Sequence, residues 1–307
     1  MTHILLTGAG FSRNWGGMLA SDVFTYLLGC NELDEELRRL LWRDRSFEDV
    51  LAALQFAKDE DGKRRYNLLT SALVGMFNGM GQAFMQRAFE FRNPPDTHYS
   101  LMSFLIRFDA IFTLNQDTLL EQKYIPLVGP PKWGRAHLPG IKYLGTPQLT
   151  GSIHDRIAVM EPNPSDFRLA PGVQPYIKLH GSCNWNDGPS GGRILIMGGQ
   201  KAVSIGRYPI LTWYHDEFRK MLLGPSARLM VIGYSFSDTH INDAIVDGLA
   251  AGLKLFVVDP YALKVLKNDP RIGSARSSLI GYSDRPLKTT FGGDRYAHAQ
   301  VSKFFDP

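Results

Sequence analysis

The chain has 307 residues, 44% hydrophobic and 21% charged, which is enough apolar material for a sizeable core and excludes a fibrous or disordered chain. Its two cysteines, Cys30 and Cys183, cannot build a disulfide framework or a four-thiolate zinc site. The net charge of +4 is spread along the sequence and interrupted by acids, which argues against a nucleic-acid surface. The start, MTHILLTGAG, lacks a signal pattern and no apolar run is of bilayer length, so a cytoplasmic location without membrane contact is expected.

In chain order, a short β-type run at residues 4–7 ends in Gly8-Ala9-Gly10. A long stretch with helical spacing follows. Ser46 caps one helix, with Glu48 and Asp49 in its first turn, and Leu69, Leu73, Met76, Met80 and Phe84 form an apolar stripe on another. That stripe reads as core or as a subunit interface, and a homo-oligomer built on it is expected. Residues 31–107 are accordingly read as a helical module inserted into a sheet domain of residues 1–30 and 108–307.

A second run, 110–114, ends in Asn115-Gln116-Asp117. Residues 125–175, rich in Pro and Gly, read as irregular structure that either covers a site or makes a surface excursion. Weaker runs at 176–179 and 194–197 precede His180-Gly181 and Gly198-Gly199. Clear runs at 229–232 and 255–258 precede Gly233-Tyr234-Ser235 and Asp259-Pro260, and the basic stretch 271–288 reads as a solvated tail. Runs of this kind predict buried strands of a parallel α/β sheet, with polar or glycine-rich residues at the carboxyl ends, where such sheets bind ligands.

Gly8, Ala9, Gly10, Phe11 and Ser12 lie between the first strand and a helix, where glycines admit a pyrophosphate to the backbone or simply make a tight turn. Arg13 stands where a dehydrogenase fingerprint needs its third glycine; it could face a phosphate or be a solvated helix-start residue. Asn115 and Asp117 can face a cleft from a strand end, or merely start a helix at Thr118. His180, beside Gly181, is the side chain suited to moving a proton near neutral pH. Gly233 and Ser235 could line a nucleotide and Asp259 a ribose, or they could serve as turn and cap residues.

In this order the residues resemble the sirtuin family: GAGFS from Gly8, TLNQD from Thr113, HG at His180, GYSFSD from Gly233 and VVD ending at Asp259. The resemblance implies an α/β fold with a Rossmann-like parallel sheet, here with an inserted helical module, and NAD as the bound substrate. The chain departs from the protein deacylases of that family by lacking two C-x-x-C pairs for a structural zinc. It also carries Gly16-Gly17-Met18-Leu19-Ala20 in place of a G-I-P-x-F-R segment. Together with GYSFSDTHIN these departures resemble the bacterial sirtuin-like branch of anti-phage NAD-depleting enzymes.

The resemblance implies an NAD glycohydrolase that releases nicotinamide and ADP-ribose; no metal is expected, because the chain lacks paired cysteines and any H-E-x-x-H or comparable ligand spacing. His180 would act as base, Asn115 would position water or ribose, and Asp117 would support that geometry. Gly8, Ala9, Gly10, Phe11 and Ser12 would hold the pyrophosphate side, with Arg13 adding charge near a phosphate, Gly233 lining the nucleotide, and Ser235 and Asp259 toward the adenosine. An NAD-dependent deacylase or ADP-ribosyltransferase, or a non-catalytic NAD or ADP-ribose sensor, is the alternative. Unregulated NAD consumption would harm a host, so gating by assembly or by a partner such as a HerA-like ATPase is expected.

Overall fold

The computed structural model describes residues 1–44, 46–93, 96–129, 132–144, 159–188 and 192–306. Among the described residues the strands are β1 (Thr2–Thr7), β2 (Ala110–Thr113), β3 (Arg135–His137), β4 (Ile141–Tyr143), β5 (Met160–Pro162), β6 (Val173–Lys178), β7 (Gly181–Asn186), β8 (Arg193–Leu195), β9 (Ala227–Ile232), β10 (Lys254–Val258) and β11 (Leu279–Ser283).

The main sheet has seven strands in the order β11-β10-β9-β1-β2-β6-β3, every neighbour pair parallel. Its central strands read as continuous apolar runs because helices cover both faces: Ile4, Leu5, Leu6, Ile111, Phe112, Leu229, Met230 and Val257 are all fully buried. From β1 the chain builds outward through β2 in one direction and through β9 and β10 in the other. The switch point therefore lies between β1 and β9, and it opens a crevice at the carboxyl ends of those strands. This is the expected α/β architecture.

Helices Ala20–Gly29, Glu35–Asp44, Phe47–Gln55 and Glu60–Met85 fall between β1 and β2. Ser46 Oγ accepts from Asp49 N at 3.2 Å and Asp59 Oδ1 from Gly62 N at 2.8 Å, satisfying amides that the first turns leave open. The stripe from Leu69 to Phe84 is at most 6% exposed and merges with the core under the sheet. Its apolar area is consumed inside the chain, so it is not an interface between copies, and the expectation of a homo-oligomer loses that basis.

Three further expectations change. Residues 194–197 contribute β8, which joins not the main sheet but a four-stranded sheet of order β4-β5-β7-β8, antiparallel to β7. The basic stretch 271–288 is not a solvated tail: it supplies edge strand β11, and the following chain buries Phe291, Val301 and Phe304 completely. The strand is five residues long, carries Gly281 and lies between Arg276 and Arg285, which gave it the profile of a loop. Within 125–175, residues 130–131 and 145–158 lie outside the described residues. The described remainder forms short strands, and none of it lines the cleft described next.

Candidate active site

A cleft of ≈ 1590 Å³ opens along the carboxyl edge of the main sheet, lined by the loops after β1, β2, β6, β9, β10 and β11. Helix Glu60–Met85 closes it with Leu73, Met76, Phe77 and Met80, so the helices between β1 and β2 form one wall.

At the switch point two glycine loops interlock. Gly10 N donates to Gly233 O at 2.9 Å and Gly8 N to Ile232 O at 3.0 Å. A Cβ on Gly10 would stand 2.7 Å from Gly233 Cα, and one on Gly233, whose φ is +64°, would stand 2.4 Å from Phe11 N. Glycine is thus required at these positions by the contact between the loops, before any ligand is considered. With Phe11 N also donating to Gly8 O, the amides of Ala9 and Ser235 stay without a carbonyl partner among the described residues and line the cleft.

The remaining residues of that loop divide by burial. Ala9 and Arg13 line the cleft, with Arg13 paired to Asp22 at 2.5 Å. Phe11 does not: at 1% exposure it packs on Trp15 with ring centroids 5.2 Å apart. Neither does Ser12, which is 2% exposed and uses its Oγ to accept from Asn115 Nδ2 at 3.0 Å. The expectation that both would contact ligand is corrected; an apolar ring and a small hydroxyl at a helix start belong to the core beneath.

Asn115 Nδ2 donates also to Gly8 O at 3.0 Å, so one amide ties the β2 end to the glycine loop. Its carbonyl oxygen has no partner among the described residues, and the residue lines the cleft. Asp117 lines the cleft too, but its Oδ1 accepts from Leu119 N at 3.0 Å, so it serves as a helix cap as well. Beneath it the fully buried Lys178 donates to Asp117 O and pairs with Glu121 at 2.6 Å. Ser235 and Asp259 reach the same cleft. Burial raises the Asp259 carboxyl above its ordinary range against the opposing bond from Tyr261 N.

His180, 4% exposed, lines the same cleft as Asn115 and Asp117. Its Nε2 lies 2.9 Å from His240 Nε2, and His215 Nε2 lies 2.9 Å from Leu179 O. Burial, then the Lys201 ammonium, His240 and His215, push the His180 pKa well below its usual value. Lys201 bridges Asp238 at 2.6 Å and Glu48 at 3.2 Å; burial opposes its charge, but the two acids hold its pKa above the ordinary lysine range.

The sequence pointed to no site role for His240, Lys201, Asp238 or Gln116. Gln116 Nε2 donates to Ile196 O at 2.7 Å and His180 O at 3.2 Å, fixing the turn that carries His180. Arg285, after β11, also lines the cleft. His180, Asp238 and His240 hold donor atoms within 4.8 Å of one another. No spacing along the chain could announce that set, because its members come from the turn after β6 and the start of helix Thr239–Ala250, far apart in sequence. Asp238 is already neutralised by Lys201, which favours a hydrogen-bonded network over a cation site.

The fold and cleft define an open parallel α/β protein with a large cleft at the switch point. The chain belongs to the SIR2-like family, for the family model of the SIR2-like domain matches residues 109–276, over half of its length. That match begins beyond β1 and leaves out the glycine loop. No curated protein matches the chain.

Among solved structures, Sir2 enzymes described for their mechanism and regulation align at 14% identity and a TM-score of 0.44, covering 98% of this chain and 93% of theirs. A Sir2 homologue–NAD complex aligns at 13% and 0.42, covering 99% and 90%. A Sir2 bound to acetylated peptide aligns at 13% and 0.42, covering 98% and 92%. At these scores the fold assignment rests on the strand order itself.

Proposed function

We propose that the protein is an NAD glycohydrolase. The observation that carries this reading is the convergence of the glycine loop, Asn115 and His180 on one cleft at the switch point. NAD supplies a cationic nicotinamide whose bond to the ribose breaks with the electron pair leaving on the ring nitrogen. A water oxygen takes its place on the ribose carbon, and the water proton passes to the protein.

His180 is the group that takes that proton. It is neutral at pH 7 because its pKa is depressed, and it shares the cleft with Asn115, whose free carbonyl oxygen can orient the water or a ribose hydroxyl. The amides of Ala9 and Ser235 and the Arg13 guanidinium face the phosphates, and Asp259 the adenosine ribose. Hydrolysis is favoured over protein deacylation because the two cysteines, both buried, cannot form the thiolate zinc module that flanks a peptide groove.

Pure protein incubated with NAD should release nicotinamide without any acceptor and after strong chelation. Release only with an acylated or acceptor protein would favour the transferase reading, and binding without release the sensor. The reading extends to cytoplasmic NAD depletion in anti-phage defence, gated by assembly or by a partner of the HerA-like ATPase type. Among the described residues no helix is long and apolar enough to cross a membrane.

A further inference from the structure

We propose that His240 is a positioning residue that holds His180 in its Nε2–H tautomer, leaving the His180 Nδ1 lone pair free toward the cleft. The two ring nitrogens are 2.9 Å apart, so one must donate and the other accept. His180 Nδ1 has no partner among the described residues, whereas its Nε2 is committed to His240. A base that engages ligand must therefore work through Nδ1, and Nδ1 can accept a proton only if the ring hydrogen sits on Nε2.

The charges around the pair set the direction of the bond. Facing it are Lys201 from the helix after β8, His215 from helix Pro209–Leu222, and Asp238 and Asp243 at the start of helix Thr239–Ala250. Burial and Lys201 lower the proton affinity of both rings, but Asp238 and Asp243 raise that of His240 while no acid acts on His180, so His240 Nε2 is the better acceptor across the 2.9 Å contact. Asp238 is paired with Lys201 and Asp243 with Arg271 at 2.7 Å, so neither is free to take a full proton from the pair. His215 stays neutral, its Nε2–H directed at Leu179 O.

When His180 accepts a proton on Nδ1 it becomes an imidazolium whose Nε2–H still donates to a neutral His240. His240 so plays the orienting part that a carboxylate plays in other histidine-based sites. A neutral imidazole raises the basicity of its partner less than a carboxylate does, which suits a site already crowded by Lys201. The role of the freed lone pair rests on the NAD glycohydrolase reading, but the tautomer does not.

The test combines side-chain ¹⁵N NMR of the histidines, assigned with His180→Ala and His240→Ala, with kinetics of nicotinamide release. Wild type should show His180 as a neutral Nε2–H tautomer at pH 7, and His240→Ala should mix its tautomers. In His240→Ala, kcat should fall about tenfold or more, short of the roughly 10²- to 10⁴-fold that a general base contributes, with the NAD KM little changed.

His240→Gln, whose amide oxygen can accept the same bond, should recover part of that loss. His240→Glu should move the acidic limb of log kcat/KM to higher pH, because a carboxylate favours the imidazolium. A wild-type His180 found as the Nδ1–H tautomer, or a folded His240→Ala enzyme with unchanged kcat and pH profile, overturns the dyad. So does a spectrum that changes on dialysis against EDTA, since that assigns the ring nitrogens to a cation. If wild type releases no nicotinamide, the glycohydrolase reading fails while the spectrum still decides the tautomer.

Discussion

The two halves of the cleft are built by different means. Around Gly8, Gly10 and Gly233 the walls are main chain: two loops cross so closely that a single Cβ would collide with backbone on the other side. Around His180 the walls are side chains delivered by the ends of β6 and β8 and the start of helix Thr239–Ala250, linked by hydrogen bonds and the Lys201 ion pairs. The first half tolerates almost no change of shape. The second can keep its shape while its chemistry is altered, which is where proton-transfer properties are tuned.

That contrast is tested most strongly by His180→Ala. On the proposed reading it removes the base, so kcat for nicotinamide release should drop roughly 10²- to 10⁴-fold, with a melting curve close to wild type. Asn115→Ala should follow it in direction, because a misplaced water or ribose slows chemistry more than it weakens adenosine contacts. A folded His180→Ala protein that turns over NAD at the wild-type rate would break the assignment of chemistry to this half.

Gly233→Ala should do the opposite. An alanine there needs a left-handed φ and meets Phe11 N at 2.4 Å, so the variant should lose about 3 kcal/mol or more of stability. Gly10→Ala should act in the same way and not chiefly on ligand binding, since its Cβ meets Gly233 and not the open cleft. Urea denaturation reads the result as a lower midpoint at unchanged slope. Near-normal stability with only a higher KM would mean that the glycines serve the ligand and not the loop crossing.

The same contrast explains what was legible in the sequence. Strands buried on both faces announce themselves as apolar runs, and the glycine loop sits directly after one of them, so Gly8, Gly10, Gly233, Asn115, His180 and Asp259 could be found locally. His240 and Lys201 could not, because their importance comes only from tertiary proximity to His180. Nor could the burial of Phe11 and Ser12: a loop motif does not say which side of it faces solvent. Strand β11 was missed because its alternating exposure suits a one-sided edge strand and sits among charges that read as solvated.

Acid should weaken the histidine half selectively. Burial pushes the His215 pKa to about 4 against an ordinary 6.5, and the pKa values of His180 and His240 are lowered as well, first by burial. Between those values the unfolded chain binds more protons than the folded one. The stability these neutral rings carry is therefore complete above about pH 6.5 and drains away as the pH falls toward 4, by at most about 3 kcal/mol for His215. Melting temperatures across that window should fall for wild type and fall less for His215→Gln, which keeps a donor for Leu179 O without a titrating ring. Equal slopes in the two proteins would show that other groups govern the acid response.

The smallest effect expected is at the seam between the halves. Ser12 does not touch the cleft, yet its hydroxyl is one of two groups that hold the Asn115 amide, the other being Gly8 O. Ser12→Ala removes one acceptor and leaves the second, so one N–H of the Asn115 amide keeps its partner and the other loses its acceptor. The loss should be about 1 kcal/mol, the net worth of an ordinary hydrogen bond. Because the freed motion is that of Asn115, the cost should fall on kcat for nicotinamide release, by several-fold, and leave KM within error. Ser12→Thr should not rescue it cleanly, since the added methyl has no room beside a residue that is 2% exposed. A Ser12→Ala protein with unchanged kcat but lowered stability would show that the glycine half and the histidine half share a border without sharing a mechanism.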